Sequence, residues 1–169
     1  MDHSSLSIQP LKWNQVLKFL LLREQIEAET EHLALAGDDR KSESTLFAIG
    51  RMFANRKCLV TLVAQDGNEF VGYISVSFAR FRKMKANAYL ILSVRSNYRG
   101  QGIGTKLMRA AEDLARARAI RRLELEVFAK NVGAHKLFKR LGYEEEGRKR
   151  QVGQIHNGFD DLVLMAKFL

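Results

Sequence analysis

The chain has 169 residues, 28 Lys+Arg against 19 Asp+Glu for a net charge of +9, and a single cysteine. That length predicts one domain over 1–169, large enough to bury about 70% of the surface its unfolded form exposes. One cysteine excludes an intrachain disulfide, and Cys58, opening the apolar run "CLVTLVA", reads as a buried structural thiol. No run reaches the roughly 18 apolar residues of a spanning helix, and "MDHSSLSIQ" shows no basic stretch followed by an apolar one. A cytoplasmic protein without a membrane partner is therefore expected. The positive charge suits an anionic partner, whether nucleic acid, acidic protein or polyphosphate cofactor. The basic residues are dispersed through "RFRKMK", "RARAIRR" and "KLFKR", so a nucleic-acid partner is not expected.

In chain order, "SIQPL" reads as a first strand and "KWNQVLKFLLLREQIEAE" as a helix with Trp13, Val16, Leu17, Leu20, Leu21 and Ile26 at near-helical spacing. "GDDRKSE" reads as a loop, with Ser42 or Ser44 capping a helix "TLFAIGRMFANR". Two β-rich runs flank Asp66-Gly67, a hairpin signal, and "AYLILSV" is a fourth strand. "GIGTKLMRAAEDLARARA" follows as a helix with Ile103, Leu107, Ala110, Ala111 and Leu114 on its apolar stripe. "RRLELEVF" alternates, placing Leu123, Leu125 and Val127 on one face and Glu124, Glu126 and Phe128 on the other. "NVGAHKLFKRLG" is a short helix between an Asn131 N-cap and a Gly142 stop, and two final strands surround "GQIHNG".

The stretch "YRGQGIGTKL" puts Gly100, Gly102 and Gly104 at alternate positions between a strand and a helix. It is not a dinucleotide fingerprint: counting from Gly100 the third glycine is replaced by Thr105, and counting from Gly102 by Leu107. It is not a Walker A loop either, since Lys106 follows Thr105 rather than a glycine. An anion is still the expected ligand, because the first amides of a helix lack intrahelical partners and carry the positive end of the dipole. Arg99 and Lys106 add charge beside them.

The segment "V-x-x-x-x-R-G-Q-G-I-G" from Val94 to Gly104 resembles the acetyl-CoA signature of the GNAT N-acetyltransferase superfamily. "LELEVFAKNVGAHKLFKRLGY", Leu123 to Tyr143, is similar to that family's later strand and helix, usually N-x-x-A-x-x-x-Y-x-x-x-G-F. The tail "EEEGRKRQ…GFDDLVLMAKF" is similar to members that acetylate amino acids or protein N-termini. The resemblance implies an α/β single-domain fold: a mixed, mostly antiparallel sheet of about seven strands with a parallel pair in the middle, flanked by about four helices. It implies acetyl-CoA as cosubstrate, a primary amine as acceptor and transfer by direct attack, with a non-catalytic acyl-CoA-binding module as the alternative. Ser93 and Val94 would offer backbone groups to the pantetheine and thioester. Arg99, Gly100, Gln101, Gly102, Ile103, Gly104 and Thr105 would hold the pyrophosphate, and Asn131 would bond the pantetheine arm or the backbone near it. Phe138 takes the family tyrosine's place beside the cofactor, where it cannot donate a proton. Dimers are common in the family, which leaves a homodimer open.

Acetyl transfer requires a neutral amine. At pH 7 deprotonation costs about 1 kcal/mol for an α-amine and about 4.6 kcal/mol for a lysine. Glu126 is the candidate base, at the position where some ribosomal-protein N-terminal acetyltransferases of the family carry a catalytic Glu. Its rival reading, favoured for Glu124, is a solvent face paired with Arg121, Arg122 or Lys130. Tyr143, Tyr98 or water would protonate the departing thiolate. His135 reads as a surface residue and His156 as facing the acceptor. The run Glu27, Glu29, Glu31 would border the acceptor cleft or form a solvated helix end. No His, Cys and carboxylate set has metal-ligand spacing, so no metal is expected.

Overall fold

The computed structural model describes residues 6–30, 58–155 and 158–169. The expected helix over 45–56 with its Ser42 or Ser44 cap, Glu31 and His156 lie outside the described residues.

Seven strands form one sheet in the order β1-β2-β3-β4-β5-β7-β6. They are β1 (Ser7–Pro10), β2 (Leu59–Asp66), β3 (Glu69–Phe78), β4 (Asn87–Val94), β5 (Arg122–Phe128), β6 (Glu144–Ile155) and β7 (Gly158–Phe168). Neighbours pair antiparallel except β4 and β5, which are parallel. Three described α-helices accompany them: α1 (Val16–Glu29), α2 (Ile103–Ala117) and α3 (Val132–Arg140).

The two faces have separate cores. On one, α1 buries Val16, Phe19, Leu22 and Ile26, with the Phe19 ring edge-on to Tyr73 of β3 at 5.1 Å. On the other, Ile103, Leu107, Met108 and Ala111 of α2 and Phe138 of α3 pack with Leu123, Leu125 and Val127 of β5. The alternation read in "RRLELEVF" therefore holds, and it leaves Glu124 and Glu126 on the α1 face.

Several boundaries differ from the sequence reading. The first helix is preceded by a 3-10 turn over Trp13–Gln15, because Lys12 is extended and its amide donates to the Gln15 side chain at 3.1 Å. The first hairpin turns on Gly67 and Asn68, one position later than Asp66-Gly67, with Gly67 taking the positive φ of +53°. The last two strands extend into "GQIHNG" from both sides. Cys58 is half-buried, less than the apolar run after it suggested.

Candidate active site

The parallel pairing between β4 and β5 covers three residue pairs only, Asn87–Tyr89 against Arg122–Glu124. Beyond them β4 stays with β3 and β5 stays with β7, so the sheet opens between the two strands. Arg95 N–H donates to Val71 O of β3 at 3.0 Å. Since successive amides of a strand point to opposite sides, the Val94 N–H points into the opening. A cleft of about 350 Å³ lies there. Ile26 and Thr30 from the end of α1 border it, as do Leu137 and Arg140 of α3, so it reaches from one face of the sheet to the other.

The glycine loop forms one wall. Gly100 has φ +75° and Gly102, the N-cap of α2, has φ +80°. A Cβ at either would meet nothing within 4 Å, so the need for glycine is conformational. Gly104 is different. Its Cβ would lie 3.0 Å from Leu137 Cδ2, so glycine here lets α2 pack against α3. The helical ladder begins with Lys106 N–H to Gly102 O at 3.1 Å, which leaves the Ile103, Gly104 and Thr105 amides ahead of it. Gly102 supplies no side-chain cap and the first turn holds no acidic residue, so nothing in that turn competes with an anionic ligand.

The side chains around the loop brace it. Arg99 Nε donates to Val94 O at 3.0 Å, and Gln101 Nε2 donates to Asn97 O at 2.8 Å. Glu29 accepts the Ser96 amide at 2.6 Å, and Arg95 lies 3.8 Å from its other oxygen. Burial pushes the Glu29 carboxyl up, but the Ser96 hydrogen bonds and the Arg95 and Arg99 charges outweigh it and hold it below the ordinary range. Glu29 thus fastens the end of α1 to the loop rather than standing in a solvated acidic run. Asn131 caps α3, accepting the Ala134 amide at 3.2 Å, and borders the cleft.

Of the residues expected at the cofactor, Ser93, Val94, Arg99, Gly100, Gly102, Gly104, Thr105 and Asn131 border the cleft. The side chains of Ile103 and Phe138 are in the core instead, at 1% and 5% exposure. Arg140, which no sequence motif marked, brings a second cation to the cleft beside Arg99.

Glu126 stands on the α1 face, two residues past the last parallel pair and outside the cleft lining. The Tyr89 hydroxyl donates to it, and burial, then the Glu126 charge, push the phenol up to about 12, so it keeps its proton. Lys149 Nζ reaches Glu126 Oε1 at 2.8 Å from β6. The neighbouring Glu124 is taken by Arg122 at 2.7 Å, as the solvent-face reading anticipated. His135 is half-buried and lies 3.8 Å from Glu145.

Tyr143 requires a correction. It is 2% exposed, its ring packs 6.1 Å from Phe138, and it is absent from the cleft lining. The cause is the end of α3: Gly142, at φ +85°, reverses the chain while its own N–H bonds Lys139 O and the Tyr143 N–H bonds Phe138 O, which turns the next side chain into the core. Burial raises the phenol well above its ordinary range. The hydroxyl has no hydrogen-bond partner among the described residues. A buried donor left unpaired costs about 1–3 kcal/mol, so Tyr143→Phe is expected to hold or raise the melting temperature and to leave any turnover at the cleft unchanged. A thermal melt and a turnover assay on the one variant check both.

A model of the acetyltransferase (GNAT) family matches residues 21–143. The chain belongs to the GNAT family. This GNAT chain is 33% identical over 106 residues to the L-methionine sulfoximine/L-methionine sulfone acetyltransferase of Pseudomonas aeruginosa, a stretch covering 62% of each. It superposes on the ribosomal-protein-alanine N-acetyltransferase of Brucella melitensis with a TM-score of 0.78 at 28% identity, covering 96% of this chain and 99% of that one. It also shares its fold with yncA of Salmonella typhimurium, solved with its cofactor acetyl-CoA: the TM-score is 0.83 at 20% identity, covering 98% and 95% of the two chains.

Proposed function

We propose that this chain is an acetyl-CoA-dependent N-acetyltransferase that passes the acetyl group to a primary amine by direct attack on the thioester. The carrying observation is the uncapped start of α2, held behind two positive-φ glycines, at a cleft running through the opened sheet. The pyrophosphate would rest on the Gly102–Thr105 amides, with Arg99 and Arg140 adding charge-assisted contacts of about 1.5–3 kcal/mol each. Acetyl-CoA bound to yncA and the acceptors named in the two other proteins support the same reading.

The chemistry then divides among this chain's groups. Glu126 takes the proton of the attacking amine, directly or through a water. The Val94 N–H, pointing into the opening, donates to the oxyanion that forms on the acetyl carbonyl. The C–S bond breaks and the thiolate leaves. A thiol of pKa about 8.5 is a tolerable leaving group without a fixed acid, so Phe138 does not block the reaction.

The lack of a tyrosine at position 138 motivates a second reading, an acyl-CoA-binding module that does not turn over. Calorimetry with acetyl-CoA and a thiol-release assay over a broad amine panel separate the two. Binding with thiol release supports transfer, binding without release on any amine supports the module, and no binding at well above micromolar cofactor overturns both.

A further inference from the structure

The ion pair on Glu126 has a chemical meaning that its strength does not explain. Lys149 lies on β6 and Glu126 on β5, and β7 separates those strands. The lysine must therefore reach across a whole strand to place its ammonium on the carboxylate. The Lys149 side chain is 51% exposed and that of Glu126 is 22% exposed. Pairs this accessible contribute little to stability and open readily. The surrounding carboxylate and guanidinium are closed on each other: Arg122 holds both Glu124 and Glu146.

The backbone around Lys149 is built with care. Directly after it the β6–β7 register slips, so that Arg150, Gln151 and Val152 stand against Asp161 alone. Gln151 takes φ +53° there, and its amide donates to Asp161 Oδ1 at 2.9 Å. Gly153 then lies against the Phe128 ring, where a Cβ would come within 2.2 Å of Cε1. The buried Asp160 accepts the Lys130 amide at 3.1 Å and so ties this hairpin to the turn that carries Asn131. Bulges of this kind aim side chains beside sites.

A carboxylate and an ammonium 2.8 Å apart form the inverse image of one small molecule class, in which an ammonium and a carboxylate are both attached to one carbon. We propose that the acceptor is a free α-amino acid, which opens the Glu126–Lys149 pair so that Glu126 receives its ammonium and Lys149 its carboxylate. This rests on the acetyl-transfer reading above. A peptide N-terminus offers a neutral amide where the carboxylate would be, and a polyamine offers nothing, so either would leave Lys149 without a partner. Lys149 is thus a specificity-determining residue, and Tyr89 positions Glu126 behind it.

The test is thiol release from acetyl-CoA with the standard L-amino acids and the C-terminal amide of each. The best free acid is expected to exceed its own amide in kcat/KM by about tenfold or more, the usual return of one charge-assisted contact. Lys149→Met should collapse that acid-to-amide ratio, and Lys149→Arg should restore most of it. Lys149 is exposed, so both variants should fold. An amide that matches its acid, or a ratio that Lys149→Met leaves unchanged, overturns the assignment while acetyl transfer stands. No release with any acid or amide also overturns the assignment, and acetyl transfer itself falls only if the broad amine panel gives no release either.

Discussion

Gly102→Val is expected to raise the Kd for acetyl-CoA by about 100- to 10,000-fold, which isothermal titration would record as loss of binding. The reasoning starts from the backbone. Gly102 is held at φ +80° as the N-cap of α2, in a conformation that costs an ordinary L-residue about 1–2 kcal/mol and a β-branched one more. The added side chain would touch nothing within 4 Å, so strain and not collision is the agent. Relief of that strain rotates the turn and misdirects the amides at the start of α2. Two displaced charge-assisted bonds account for the loss at about 1.5–3 kcal/mol each. Gly102→Ala should show the same direction with a smaller change, which keeps the test readable where valine unfolds the loop. Gly104→Ala is the control. Its Cβ would press at 3.0 Å on Leu137 Cδ2, the movable end of a side chain, so a loss of about 1 kcal/mol in stability and a few-fold change in Kd are expected. If Gly102→Val binds normally, the pyrophosphate does not rest on these amides.

That pair of variants also shows where the sequence was readable. The glycine spacing announced an anion cradle, but three glycines at equal intervals serve two different purposes. Only φ and neighbouring atoms separate Gly100 and Gly102 from Gly104. Strand β5 was legible because a period of two leaves no ambiguity: its leucines and valine face α2 and its glutamates do not. Helix α1 was not legible in the same way. It is apolar on both sides, so Phe19 and Leu22 at 1–2% exposure and Leu17 and Leu21 at 60–70% are equivalent as letters. By residue type Tyr143 is one candidate proton donor beside Tyr98 and water, whereas the reversal at Gly142 makes it a core residue. On the solvent-face reading of Glu126, the rival to its reading as the base, the partner is a cation nearby in the chain, Arg121, Arg122 or Lys130. The partner observed is Lys149, 23 residues on and two strands away, where only the sheet order brings it close.

Glu126→Gln is expected to lower kcat by about 10²–10⁴-fold with acetyl-CoA affinity unchanged. The carboxylate stands outside the cofactor cleft, so the variant removes an acceptor-side function and nothing that holds the cofactor. Glutamine keeps the shape and can still accept the Tyr89 hydroxyl, but it carries no charge for Lys149 and takes no proton. The deficit should depend on pH in a defined direction. Below the amine's pKa the acceptor arrives as an ammonium and the base has a proton to remove, at a cost of about 1.4 kcal/mol for each pH unit below that pKa. Above it the amine is already neutral, and the wild-type advantage should narrow as pH rises towards 9 or so. Tyr89→Phe should produce a smaller loss with the same pH trend, because it removes a hydrogen bond that fixes the carboxylate and leaves the carboxylate itself. A Glu126→Gln enzyme with the wild-type kcat at pH 7 would show that the pair with Lys149 is structural. A deficit that stays constant across pH would instead mark Glu126 as a residue that orients the acceptor without accepting its proton.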